Sequence, residues 1–282
     1  MERILQGYKV LLLALNLPGP VAATRLAGWG AQVTKIEPPG GDPLASVCAD
    51  WYAALCAGLE VLSLDLKAQE DRSRFEGLLG ESDLLLTSLR PSALLRMGLS
   101  WDDLHKRCPD LCHVAITGYP SPDERPGHDL TYQASLGLVT PPQLPVTLLA
   151  DLAGAERAAS AALALLLGRE RGQGAGYLEV SLAEAAQDFA APLKYGLTHP
   201  EGALGGGLPV YNLYAAQDGW IALAALEIHF WEALAGEVDL EPLEIRFEDL
   251  QRFFLTHGAA YWEAWGREHD LPIAVVKSTW QK

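Results

Sequence analysis

Short apolar runs alternate with longer mixed segments along the first half of the chain. The runs have the length of strands and are too short to cross a membrane; they read YKVLLLAL, AQVTKIE, EVLSLDL, SDLLLTSL and LCHVAITG. Segments such as VAATRLAGWG and AQEDRSRFEGLLGE lie between them and have the composition of helices. Strands that alternate with helices predict an α/β fold with a mostly parallel sheet covered on both faces.

Turn and capping signals mark where these elements begin and end. LPGP leads into the first helix, and PPGGDP ends the second strand. Ser100 precedes the predicted helix SWDDLHKR, and Asp103 follows three residues later, which is a capping-box pattern. The long Ala-rich segment DLAGAERAASAALALLLGRERGQG predicts one helix that ends at Gly172 and Gly174.

The second half predicts fewer and different elements. YLEVSLAEAAQDFAAPLKYGL contains a strand and a helix, and YNLYAAQDGWIALAAL contains a β-hairpin that turns at Gln217, Asp218 and Gly219. An aromatic helical region follows, and LPIAVV predicts a final short strand.

Composition narrows the classes of function. The 282 residues carry 21 basic and 36 acidic side chains, a net charge of −15, which disfavours nucleic acid as a partner. No apolar run is long enough for a membrane span, and MERILQG lacks the pattern of a signal peptide, so we expect a cytoplasmic protein. The four cysteines fit a reducing compartment.

The sequence predicts neither a metal site nor an NAD site. HKRCPDLCH places two His and two Cys close together, but its cysteines flank a Pro-Asp turn, so we predict no metal site. Glu37 closes a βαβ unit as in dinucleotide-binding folds, but the turn reads NLPGP and lacks the glycine fingerprint of an NAD site.

Two positions carry candidate chemistry. In RPGHDLTYQAS, His128 and Asp129 stand at the edge of an apolar stretch, where a turn with a solvated charge pair is the simplest interpretation. Asp151 begins the long helix, where the helix dipole favours a carboxylate and an ordinary N-cap aspartate is equally consistent.

A family resemblance extends in order from Gly19 to Glu227. It rests on GPVAATRLAGWGAQVTKIEPPGGDP, LSLDLK, LRPSALLRMGLSWDDL, HVAITGY, RPGHDLTYQAS, LLADLAGAERAASAAL and YNLYAAQDGWIALAALE. These segments resemble CoA-transferase family III, the CaiB/BaiF family. The resemblance implies an enzyme with a Rossmann-like CoA-binding large domain, residues 1–195, and a smaller α+β domain, residues 196–282. It also implies an interlocked homodimer and a C-terminally shortened chain.

The family's two reactions assign different roles to the same residues. In a racemase resembling α-methylacyl-CoA racemase, His128 and Asp151 would move a proton on and off the α-carbon of a 2-methylacyl-CoA thioester. Glu227, in ALEIHFWEAL, would orient His128. In a CoA-transferase, Asp151 would be the nucleophile that forms an acyl anhydride. The Gly-His-Asp sequence and Glu227 favour the racemase; CoA transfer and a catalytically inactive family member are the alternatives.

The resemblance also implies how the substrate is held. Coenzyme A enters as the acyl-CoA substrate, and no permanently bound cofactor is expected. Arg90 in LRPS is the best match to a phosphate-binding arginine, and Lys35, Lys67 and Gly127 are further candidates. The two lysines equally fit solvated surface positions. A mobile glycine loop would cover the intermediate; its residues are Gly205, Gly206 and Gly207.

Overall fold

The computed structural model describes residues 3–239 and 241–277. The chain forms two compact units, residues 1–190 and residues 191–282. Each unit has a sheet and a hydrophobic core of its own.

The sheet of the first unit has six parallel strands in the order β3-β2-β1-β4-β5-β6. The strands are β1 (Lys9–Leu13), β2 (Gln32–Glu37), β3 (Glu60–Ser63), β4 (Leu84–Thr87), β5 (Cys112–Thr117) and β6 (Tyr177–Ser181). This order is that of a Rossmann fold, so the predicted parallel α/β sheet is confirmed. The chain changes direction across the sheet between β1 and β4, and ligands of such sheets bind at the carboxyl ends beside that point.

Helices cover both faces of this sheet. They are α1 (Pro18–Gly28), α2 (Pro43–Val47), α3 (Ala49–Cys56), α4 (Gln69–Glu81), α5 (Pro91–Arg96), α6 (Trp101–Arg107), α7 (Asp129–Ser135), α8 (Leu149–Gly168) and α9 (Leu182–Phe189). The Ser100 cap is confirmed, because its hydroxyl accepts a hydrogen bond from the Asp103 amide at 3.3 Å. The sequence pattern left α2 and α3 unassigned and predicted a turn where α7 lies.

The central strands β1, β4 and β5 are buried on both faces, which explains their unbroken apolar runs. Val10 and Leu12 of β1 join a core with α1 and α8, whereas Leu11 and Leu13 join a second core with α4, α5 and α6. Small side chains on α8 let it lie close to α1 and the sheet. This packing fixes the first turn of α8 near the carboxyl edge of the sheet.

The second unit contains a short helix, a three-stranded antiparallel sheet and three longer helices. The elements are α10 (Ala191–Lys194), β7 (Tyr211–Ala215), β8 (Trp220–Ala224), α11 (Ile228–Val238), α12 (Phe247–Phe254), α13 (Ala259–Glu268) and β9 (Ile273–Val275). The predicted hairpin and final strand are both confirmed. Tyr214, Phe254, Trp262 and Trp265 form much of its core.

A buried histidine makes the stability of the first unit depend on pH. His113 of β5 is 1% exposed, and its Nε2 lies 3.0 Å from the Thr87 hydroxyl. No described residue pairs with its Nδ1. Burial lowers the pKa of His113 from 6.5 to about 4. The unfolded chain therefore binds the proton more readily, and stability falls as pH drops from about 6.5 towards 4.

We predict that this one group contributes a loss of up to about 3 kcal/mol in unfolding free energy over that range. Urea unfolding at pH 7.0, 5.5 and 4.5 measures this loss. His113→Phe should remove the part of the pH dependence of the unfolding free energy that comes from His113. His105→Gln, at an exposed position of α6, is the matched control. Equal pH slopes in the His113 variant and the native protein would contradict the prediction.

Candidate functional site

A cavity of about 440 Å³ lies at the carboxyl edge of the sheet, beside the point where the strand order reverses. Its walls come from the segments that follow β1, β4 and β5 and from the first turn of α8. His128 and Asp151, separated by more than twenty positions in sequence, both line it. We call it the His128 cavity.

A second cavity of about 490 Å³ adjoins the first. The two share wall residues directly after β1 and β4, namely Leu15, Asn16, Ser88 and Leu89. This second cavity is more apolar, and Lys67 lies at its edge; we call it the Lys67 cavity. Together the two cavities place an ionisable region and an apolar region side by side at the usual ligand position of the fold.

Other potential sites do not gather chemistry in the same way. A cavity of about 760 Å³ lies at the opposite edge, at the amino ends of the strands, and contains neither histidine nor cysteine. Among residues 3–239 and 241–277, no cluster of His, Cys, Asp or Glu is arranged to hold a metal ion. In the same residues, no helix combines the length and apolar character needed to cross a bilayer.

Asp151 lies in the first turn of α8 and is half-buried. Burial is the main reason that its pKa rises from 3.8 to about 6; the Asp129 carboxylate raises the pKa further, and His128 opposes the shift. The carboxyl is therefore mostly ionised at pH 7 but more basic than an ordinary aspartate. A group of this kind can act either as a nucleophile or as a base.

Asp129 holds the segment that carries Asp151. One carboxylate oxygen of Asp129 accepts hydrogen bonds from the backbone amides of Ala150 at 2.7 Å and Asp151 at 3.1 Å. The other accepts from the Gln133 side chain at 2.5 Å. Asp129 is therefore a buried structural residue and not part of a solvated charge pair: α7 supplies the carboxylate that satisfies the free amides at the start of α8.

Asp129→Ala is expected to lower the unfolding free energy by about 2–3 kcal/mol, because it leaves buried amide donors without an acceptor. Asp129→Asn keeps one side-chain oxygen and should retain more of the stability. Chemical denaturation at pH 7 compares the two variants. A loss below about 0.5 kcal/mol for the alanine variant would show that these hydrogen bonds contribute little.

His128 immediately precedes α7 and is exposed. Its backbone amide donates to the Thr131 hydroxyl at 3.0 Å, and that hydroxyl donates to the His128 carbonyl at 2.7 Å. This reciprocal pairing fixes the backbone of His128 at the wall of the cavity. His128 and Asp151 line one cavity, and their catalytic roles stay predictions.

Two arginines border the His128 cavity. Arg90, which precedes α5, is exposed as a phosphate contact requires. Arg125 was missed by the sequence interpretation, although it opens the RPGHD segment; its guanidinium lies 3.8 Å from the centre of the Tyr119 ring. Glu124 joins this loop to α5 by accepting hydrogen bonds from the Ser92 amide and hydroxyl at 2.7 and 2.5 Å.

The two predicted lysines differ sharply in position. Lys67 is exposed at the edge of the Lys67 cavity. Lys35 is fully buried, and its ammonium pairs with Glu37 at 2.7 Å and Asp42 at 2.6 Å. Since these carboxylates enclose it, Lys35 presents no charge to a phosphate. We therefore correct its assignment from substrate contact to structural ion pair.

Gly127 has a packing role in this structure. A Cβ at this position would lie 2.6 Å from a ring carbon of Tyr132 and 2.7 Å from its hydroxyl oxygen, so the ring excludes any side chain. Its predicted contact with CoA stays a prediction.

The remaining predicted residues belong to the second unit. The glycine segment is a compact turn: Gly207 donates to the Gly202 carbonyl at 2.9 Å, and neighbouring carbonyls leave no room for a Cβ at Gly205. Gly206 has φ of 121°, a conformation that favours glycine. Glu227 precedes α11 and is exposed. A covering role for the glycines and an orienting role for Glu227 stay predictions.

Comparison with known proteins agrees with this architecture. A sequence model of CoA-transferase family III matches residues 5–281. The probable fatty acyl-CoA transferase Rv3272 of Mycobacterium tuberculosis is 30% identical over 66% of this chain and 52% of its own length. The succinyl-CoA:mesaconate CoA-transferase of Haloarcula marismortui is 27% identical over 87% of this chain and 70% of its own length. The chain thus spans about half the length of the M. tuberculosis relative.

A solved structure extends the likeness to three dimensions. The crystal structure of Rv3272 from M. tuberculosis superposes with a TM-score of 0.84 and 25% identity, covering 98% of this chain and 84% of that one.

Proposed function

This chain belongs to CoA-transferase family III, and we propose that it acts on acyl-CoA thioesters and transfers CoA between carboxylic acids, with Asp151 as the nucleophile. The observation that carries the proposal is the half-buried Asp151 carboxylate, with its raised pKa, in a cavity at the ligand-binding edge of the sheet. The names of the relatives support transfer, because those compared above are called acyl-CoA or CoA-transferases.

The proposed first step is an acyl transfer. A carboxylate oxygen of Asp151 attacks the thioester carbon, the carbon–sulfur bond breaks, and CoA leaves as its thiolate. The product is a mixed anhydride between Asp151 and the acyl group. The positive end of the dipole of α8 favours the ionised form of the carboxyl group, which is the form that attacks. The thiolate then attacks the Asp151 carbonyl carbon of the anhydride, which releases the first carboxylic acid and leaves Asp151 as a CoA thioester. A second carboxylate attacks this thioester, which forms a second anhydride and releases the thiolate again. The thiolate finally attacks the acyl carbon of the second acid, so that the new CoA thioester leaves and the Asp151 carboxylate is restored.

A second candidate reaction is proton exchange at the α-carbon. His128 and Asp151 line the same cavity, and a pKa of about 6 brings Asp151 close to the range of an efficient base. In this reaction one group removes the α-proton and the other returns a proton to the opposite face. The racemase preference drawn from the sequence stays a prediction, as does the supporting role of Glu227.

We propose that cations at the two cavities hold the CoA phosphates. Arg90 and Lys67 are exposed at the His128 and Lys67 cavities respectively, and they offset locally the net charge of −15. A homodimer is part of the proposal, because the family resemblance implies one.

One experiment separates the two reactions. The protein is incubated in deuterated water with a 2-methylacyl-CoA and a second carboxylic acid, and mass spectrometry follows both α-deuterium and the second acid's CoA thioester. Transfer predicts the new thioester in the native protein and in His128→Ala, and its loss in Asp151→Asn. Proton exchange instead predicts deuterium uptake that His128→Ala abolishes. If no acyl-CoA donor in a panel gave either product, the proposed function would be refuted.

A further inference from the structure

A buried phenol faces the same cavity with its hydroxyl unpaired. Tyr132 of α7 is 1% exposed, yet it lines the His128 cavity. No described residue exchanges a hydrogen bond with its hydroxyl oxygen. Tyr214, the equally buried tyrosine of the second unit, shows the usual arrangement, because its hydroxyl donates to the Pro209 carbonyl at 2.6 Å. Tyr132 therefore has a donor available for a ligand.

The packing fixes where this hydroxyl lies. Gly118 and Gly127 approach it so closely that a Cβ on either would come within 2.7 Å of the hydroxyl oxygen. The Tyr119 ring packs edge-on at 5.2 Å between centroids, and Ala150 and Ala186 complete the cluster. A ring held in this way keeps its donor in place before substrate binds, which is what stabilisation of developing charge requires.

Burial keeps the hydroxyl protonated. Burial chiefly raises the pKa of Tyr132 to about 12, and neighbouring Tyr119 and Asp151 act in the same direction. At neutral pH the group can therefore donate a hydrogen bond and does not act as a base.

We infer that the Tyr132 hydroxyl donates a hydrogen bond to the thioester carbonyl oxygen of the acyl-CoA that Asp151 attacks, an inference that rests on the proposed function. The carbonyl oxygen gains negative charge when Asp151 adds to the thioester carbon, and equally when an α-proton is removed. The same donor thus serves both candidate reactions. Tyr132 is a catalytic residue in this assignment, and Gly127 is the glycine that allows its ring to reach the cavity.

The test begins with Tyr132→Phe, which removes one oxygen and keeps the ring. We expect kcat to fall by about 10²–10³-fold, the usual cost of one oxyanion donor, with KM changed less than about threefold. Thermal unfolding should be nearly unchanged. Tyr8→Phe is the matched control, because Tyr8 immediately precedes β1 at the opposite edge of the sheet.

A spectroscopic measurement supplies a readout that does not need turnover. In Asp151→Asn, which cannot form the anhydride, the infrared stretch of a ¹³C-labelled thioester carbonyl reports hydrogen bonding to bound acyl-CoA. Adding Tyr132→Phe should return that stretch to a higher frequency. An unchanged stretch, or native kcat in Tyr132→Phe, would overturn the assignment while leaving the proposed function intact. If the native protein showed neither turnover nor acyl-CoA binding, the Tyr132 assignment and the proposed function would both be refuted.

Discussion

Asp151→Asn is expected to lower CoA transfer by about 10⁴-fold or more, because the amide cannot displace the CoA thiolate. The same substitution should raise the unfolding free energy at pH 7.5 by about 1–2 kcal/mol, since the native carboxylate is ionised against its environment. A loss of activity together with a gain in stability would indicate a reactive group whose ionised form lowers the stability of the folded state.

The pH dependence follows from the same pKa. Because the folded pKa of Asp151 is about 6 and the unfolded value is 3.8, the folded state retains the proton more strongly between these values. The stability contribution of protonated Asp151 is full below about pH 4 and is lost as pH rises through about 6. The stability gain in Asp151→Asn should therefore shrink as the pH is lowered, and native kcat/KM should rise through about pH 6.

Kinetics and urea unfolding at several pH values measure both effects. Asp188→Asn is the matched control, since Asp188 is an exposed aspartate of α9 and its change should affect neither quantity by much. Full activity in Asp151→Asn would remove Asp151 from the reaction. If the stability gain in Asp151→Asn did not vary with pH, the raised pKa of Asp151 would not be its cause.

Lys35→Met is expected to lower the unfolding free energy by about 3–5 kcal/mol, the second large effect. The substitution leaves the Glu37 and Asp42 carboxylates buried without their shared cation. Asp42 also accepts hydrogen bonds from the backbone amides of Asn16 at 3.1 Å and Leu44 at 2.9 Å, so its reorganisation would disturb the turn after β1. That turn forms part of the wall shared by both cavities.

Lys67→Met provides the contrast, because Lys67 is exposed. Its change should alter the unfolding free energy by less than about 0.5 kcal/mol while weakening CoA binding. Denaturation and isothermal titration with CoA distinguish the two lysines. If Lys67→Met proved the more destabilising, or if Lys35→Met unfolded like the native protein, the structural assignment of Lys35 would be wrong.

The sequence predicts the parallel sheet because its central strands are buried on both faces, and unbroken apolar runs such as YKVLLLAL have few alternatives. The helix α7 is not evident in the same way. Its sequence DLTYQAS is short and mixed, and its stability comes from Asp129 bonding to α8, a partner more than twenty residues away. Tertiary contacts of this kind leave no local pattern.

The residues of the candidate site also differ in whether local sequence or tertiary contacts identify them. His128 and Asp151 are predicted from the family motifs, and both line one cavity; their catalytic roles stay predictions. Lys35 is misassigned because a lysine in AQVTKIE looks like a surface charge; only the fold shows Asp42 returning to pair with it. The donor role inferred for Tyr132 depends on the close approach of Gly118 and Gly127, which spacing along the chain does not specify.

Trapping of an activated Asp151 tests the central claim most directly. The protein is incubated with acyl-CoA and treated with borohydride, which reduces an activated aspartyl carbonyl to the side chain of homoserine but leaves a free carboxylate unchanged. Peptide mass spectrometry then locates the modified residue. We predict homoserine at position 151 only when acyl-CoA is present, and none at Asp129. An unmodified Asp151 after observed CoA transfer would contradict the account.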